Sequence, residues 1–208
     1  MSGKNIWDVL NRNLFFVKNA VERSEAKTAD KLDVYDPESR QILLECREPD
    51  IGALTKVARL IGGRHDEGTE FNFVVSIPGS HEQVLRIARG TSTLSLGGPA
   101  VKISDHWDSL LGKLKKKNFA LGLKFAFVPE KQDEPFILHI KGAEIFCDDK
   151  KVAAFLKSST GFFRENKFDY AFSISQEVPA NSQIRQVLLA FALAKHRILI
   201  RTSIPIPI

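Results

Sequence analysis

The chain has 208 residues, of which 43% are hydrophobic and 26% charged, with a formal net charge of +5 and a pI near 9.2. Those proportions exclude a disordered or membrane-embedded chain and leave a globular protein long enough for a sizeable core. The basic excess favours anionic partners, either nucleic acid or an acidic membrane surface, without choosing between them.

The first residues, Met1-Ser2-Gly3-Lys4-Asn5, are polar, and Asp8, Asn11 and Arg12 interrupt the apolar residues that follow, so no secretory segment is read there. Ser2 rather than Gly follows Met1, and Ile204-Pro205-Ile206-Pro207-Ile208 offers no prenylation cysteine, so a cytosolic location is expected. Leu14 to Val17 reads as a short strand and Val21 to Asp30 as a polar loop. A hairpin follows, with Lys31 to Tyr35 alternating apolar and polar, Asp36-Pro37-Glu38-Ser39 turning the chain, and Gln41 to Cys46 returning. Asp50 is placed to cap an amphipathic helix in which Ile51, Leu54, Val57, Leu60 and Ile61 recur at helical spacing up to Gly62-Gly63.

Strands are then expected at Phe71 to Ile77, Gln83 to Ala88, Thr93 to Leu96, Val101 to Ile103, Phe119 to Val128, Phe136 to Ile140, Val152 to Leu156 and Phe168 to Ile174. Between them lie turn signals such as Pro78-Gly79-Ser80, Gly97-Gly98-Pro99 and Cys147-Asp148-Asp149-Lys150, a rhythm that predicts a meandering antiparallel sandwich or barrel. Cys46 and Cys147 sit in separate apolar runs and read as buried thiols rather than a disulfide.

Val187, Leu188, Leu189, Ala190, Phe191, Ala192, Leu193 and Ala194 form an unbroken apolar run after Pro179-Ala180-Asn181-Ser182. A helix that is apolar all round must be enclosed on every side. The run is far shorter than the ~18 residues a bilayer demands and is flanked by Arg185 and Gln186 before it and Lys195, His196 and Arg197 after it, which predicts a buried core helix. Asn181 or Ser182 would cap it, and Lys195 and Arg197 suit the negative end of its dipole. The expected fold is therefore mainly β: one domain over 1–208, with a core of about 12–200, forming an antiparallel barrel closed around that central hydrophobic C-terminal helix, plus the short amphipathic helix.

In that order of elements, Val34-Tyr35-Asp36-Pro37 followed by Ile42-Leu43-Leu44-Glu45, and Phe168 to Ile174 followed by Gln186 to Leu193, resemble the early hairpin, closing strand and buried helix of the superfamily of tubby C-terminal domains, phospholipid scramblases and LURP-one-related proteins. The resemblance implies a non-catalytic module that binds anionic, phosphoinositide-like lipid through cations on the barrel surface, or a scramblase-related peripheral membrane role. The cysteine-rich and proline-rich segments of scramblases are not seen. Phe163 to Asp169, the counterpart of their acidic segment, mixes cations with few carboxylates, where calcium wants several oxygen ligands in one loop.

The densest basic cluster is Lys113, Lys115, Lys116 and Lys117, with Lys124 close behind. By the resemblance it is the candidate headgroup patch, lysines near an anionic surface contributing about 1 kcal/mol each; otherwise the lysines protect an edge strand and its turn. Arg164 with Lys167, and Lys150 with Lys151, are weaker patches. Nucleic acid is disfavoured, since Phe119 is the only aromatic among the lysines. His65-Asp66 and Asp105-His106 read as turns rather than dyads, no phosphate loop, nucleophile elbow or metal motif occurs, and no cofactor is expected. Trp7 and Trp107 either anchor a membrane interface or cover the core, and the alternative to a lipid module is a structural or regulatory protein-interaction domain without a lipid ligand.

Overall fold

The structure, a computed structural model, describes residues 5–20, 31–49, 70–90, 100–119, 122–131, 134–156 and 168–198, with the side chains of 118, 119, 122 and 196 left aside. The chain opens with a short helix, α1 (Ile6–Leu10), capped by the Asn5 side chain, whose oxygen accepts the Trp7 N–H at 3.1 Å. The strands are β1 (Leu14–Asn19), β2 (Lys31–Tyr35), β3 (Ile42–Arg47), β4 (Phe71–Ser76), β5 (Gln83–Arg89) and β6 (Val101–Ser104). They continue with β7 (Leu110–Phe119), β8 (Gly122–Pro129), β9 (Phe136–Lys141), β10 (Glu144–Cys147), β11 (Lys150–Leu156) and β12 (Tyr170–Ile174), and the chain then enters a helix, α2 (Gln183–Ile198). Each strand pairs antiparallel with its neighbours in sequence, and β1 pairs with β12 to close the barrel.

Alternation along the strands decides the two faces of the wall. Phe15 and Val17, Phe71, Phe73 and Val75, Phe125 and Phe127, and Leu138 and Ile140 are buried and belong to one core with α2. Inside that wall Val187 to Ala194 are each at most 1% exposed. The Phe191 ring packs edge-on against Phe125 of β8 with centroids 5.3 Å apart and meets Phe155 of β11 at 6.4 Å, and the Tyr170 hydroxyl of β12 donates to the Ala192 carbonyl at 2.8 Å. Contacts from such separated strands mean that the helix is enclosed, as its composition requires.

Both ends of α2 are fastened by buried cations. At its start the Arg185 guanidinium donates to the carbonyls of Val178, Pro179, Asn11 and Arg12 and to the Asn13 side chain. At its end Arg89 of β5 donates to the Arg197 carbonyl at 2.9 Å, and Arg197 faces Glu48 at 3.8 Å. Arg185, Gln186 and Arg197 thus lie inside the barrel rather than marking where the helix meets water. Ser182 occupies the cap position, but its hydroxyl donates back to the Pro179 carbonyl.

Several expectations need amending. Phe119 to Val128 is not one strand: β7 ends and β8 begins within it, so the lysines at 113–117 stand on a strand of their own. Glu144 to Cys147 forms a strand that was not among those expected, and the expected turn Cys147-Asp148-Asp149-Lys150 closes its hairpin, with Asp148 and Asp149, both at positive φ (48° and 60°), as the two loop residues. Cys147 is half-buried, whereas Cys46 is fully buried, and both are free thiols. The helix expected at Ile51 to Ile61 and the strand at Thr93 to Leu96 lie outside the described residues.

Replacing Phe191 by Ala is expected to cost about 3–5 kcal/mol in urea unfolding, and replacing Leu189 or Phe191 by Asp to abolish the fold. Gly112 takes an inward position on β7, where a Cβ would come within 2.5 Å of the Phe127 ring and the Val128 carbonyl oxygen. Gly112→Ala should therefore cost about 1–3 kcal/mol by the same measurement. A third expectation concerns pH. Burial raises the Asp36 carboxyl pKa, but the Glu38 N–H, the Ser39 hydroxyl and Arg12 outweigh it and hold the group below the ordinary carboxylate value. Its contribution is full above the unfolded value of about 4 and is lost as pH falls through the folded one, so the stability deficit of Asp36→Ala should shrink on acidification below pH about 4.

Candidate functional site

On β7, Gly112 and Leu114 are buried and face the core, so the alternate residues Lys113, Lys115 and Lys117 face outward, Lys113 half-exposed and the other two exposed. Lys116 has the parity of Leu114 and stands opposite the buried Phe125, half-buried on the inner side of the wall. The five lysines singled out from the sequence therefore do not form one surface. Lys113, Lys115, Lys117 and, on β8, Lys124 share the outer face, and Lys116 does not.

Register adds residues that no local sequence run shows. Lys113 stands directly opposite Lys102 of β6, and Lys117 opposite Lys124. Lys124 in turn faces His139 of β9, which faces Phe146 of β10, which faces Lys151 of β11. The result is one row across five strands, with neighbours about 5 Å apart. Lys141, two residues beyond His139, lies over the Phe146 ring at 4.9 Å, and Lys151 pairs with Glu144 at 2.5 Å. No described carboxylate pairs with Lys102, Lys113, Lys115 or Lys117. The signal in the sequence is the alternation of Val101-Lys102-Ile103 and of Leu138-His139-Ile140, which becomes informative only once the strands are in register.

Two exposed apolar side chains interrupt this wall. Val128, 41% exposed, is directly opposite Lys113, and Ile137, 42% exposed, is opposite Ala126, whose other neighbour is Lys115. Trp107 in the turn between β6 and β7 is 77% exposed and stacks on His106 with centroids 3.8 Å apart, whereas Trp7 packs against the core. The Trp107 turn is set by the Asp105 carboxylate, which accepts the Trp107 and Ser109 N–H groups, and by Asp108, paired with Arg86 at 2.6 Å. Asp105 is thus occupied in turn formation.

His139 is held neutral to a lower pH than an ordinary imidazole, first by partial burial and then by the charges of Lys124 and Lys141, against a smaller opposing pull from Asp149. The Cys147 thiol is pushed up to about 11 by burial and Asp148, which leaves it unreactive at neutral pH. Among the described residues no three His, Cys, Asp or Glu side chains gather as a metal site, and no described helix is long and apolar enough to cross a membrane. His65, Asp66, Arg164 and Lys167 lie outside the described residues. Lys150 and Lys151 border an open cleft with Ala153, Ser173, Ile174, Ser175 and Glu177. Comparison with known proteins finds no family model, no curated protein and no solved structure that matches the chain.

Because Lys113 faces Lys102, an acidic residue there exchanges a repulsion for an attraction. Lys113→Glu is expected to raise the unfolding free energy by about 0.2–1 kcal/mol, read from the urea midpoint.

Proposed function

We propose that the protein is a non-catalytic, cytoplasmic, peripheral membrane module that binds anionic lipid with the outer wall of β6 to β9, and that it belongs with the tubby, scramblase and LURP-one-related superfamily. The observation that carries this reading is the outward run Lys113, Lys115 and Lys117 on a strand that has partners on both sides. A strand between two others has no open edge, so edge protection does not explain the lysines. Nor does stability, since like charges stand face to face at Lys102–Lys113 and Lys117–Lys124, which weakens a sheet. A surface that keeps such an arrangement suits an anionic partner.

Lipid is favoured over a soluble polyanion because Val128 and Ile137 lie among the lysines, so one face offers both cations for headgroups and apolar area for the acyl boundary. The wall rests on the membrane rather than in it, since its mid-strand lysines are the reverse of the apolar band that a membrane-spanning barrel turns to lipid. The closed barrel around a C-terminal apolar helix supports the superfamily assignment.

Cosedimentation with liposomes containing acidic phospholipid, at low and at physiological salt, tests the reading. Wild type should bind and lose affinity steeply with salt, and the variant with Lys113, Lys115, Lys117 and Lys124 changed to Ser should lose binding while its thermal midpoint is kept. Lys116→Ser should bind as wild type. Indifference of the wild type to such vesicles would return the protein to the regulatory, protein-binding class.

A further inference from the structure

His139 interrupts the cationic row at its centre. Lys124 stands directly opposite it on β8, with Lys117 behind on β7, and Phe146 directly opposite on β10. Lys141 lies two residues along its own strand, over Phe146. Among the described residues the acidic groups on this side are Glu144, engaged by Lys151, and Asp149 in the turn before β11. The ring is outward-facing and half-buried, so a surface that covers the row also covers the ring. With ammonium groups on two sides, the free protein opposes a further positive charge there.

We propose that docking of this wall on an anionic lipid surface is coupled to protonation of His139, so that the module holds acidic membranes more tightly as the medium acidifies. The inference rests on the lipid reading and adds a regulator to it. An anionic surface lowers the potential around Lys124 and Lys141 and so offsets the repulsion that, second to burial, disfavours the imidazolium. By linkage, whatever binding adds to the proton affinity of His139, protonation adds to the affinity for the surface. The sign follows: a depressed imidazole is uncharged in the free protein at neutral pH, and acidification supplies the cation that completes the row.

The test is partition onto phosphatidylcholine vesicles containing phosphatidylglycerol, whose phosphodiester does not titrate in this range, at about pH 7.5 and about pH 5.5 for wild type, His139→Gln and His139→Lys. Wild type should gain about fivefold more affinity on acidification than His139→Gln, the equivalent of one added cation at an anionic surface. His139→Lys should bind at the higher pH as wild type does at the lower. The difference between wild type and His139→Gln isolates His139 from the other four histidines of the chain. Equal pH dependence in wild type and His139→Gln, or none in wild type, overturns the coupling and leaves lipid binding standing. Failure of wild type and His139→Lys to bind at either pH overturns both.

Discussion

An α-helix without a polar face has to be surrounded, and that demand organises this molecule. Val187 to Ala194 have no side on which water is tolerable. A single sheet covers one side of a helix and a sandwich two, whereas a closed wall covers it all round. The inner positions of the strands are accordingly large and apolar, and Phe191 is met by aromatic rings from β8 and β11. The two ends are where such enclosure usually fails, because unpaired backbone groups accumulate there. Here Arg185 gathers the carbonyls at one mouth, while Arg89, Arg197 and Glu48 close the other.

Once closure satisfies every strand, the outside of the barrel is released from structural duty. The outer positions of β6 to β9 hold lysines set opposite lysines, a neutral imidazole between ammonium groups, and isolated Val128 and Ile137. None of these choices serves the fold. Local arrangements that work against stability are where function tends to reside, and in this chain they concentrate on one stretch of wall.

Periodicity and composition were enough to read the barrel, because alternation in Lys31 to Tyr35 and an eight-residue apolar run are local signals with one cheap solution each. They were not enough for β7, whose Lys113-Leu114-Lys115-Lys116-Lys117 looks like a solvated turn until Leu114 is seen to be buried. Nor was α1 visible, since a helix of five residues has too few turns to establish a period and is held by Asn5 and by packing on α2. The site was half legible: Lys113, Lys115, Lys117 and Lys124 could be chosen by density, but Lys116 had to be removed by parity. Lys102 and His139 are brought in by register, a property of strand pairs that no single stretch of sequence contains.

The order of the chain has a consequence for how the protein is made. The helix that fills the barrel follows all twelve described strands, and the closing pair joins Leu14 to Ser173. During synthesis the phenylalanine-lined wall is therefore made before the helix that fills it. Closure of the barrel thus waits on a pairing of high sequence separation, the kind of contact that slows folding and leaves apolar surface exposed in the meantime.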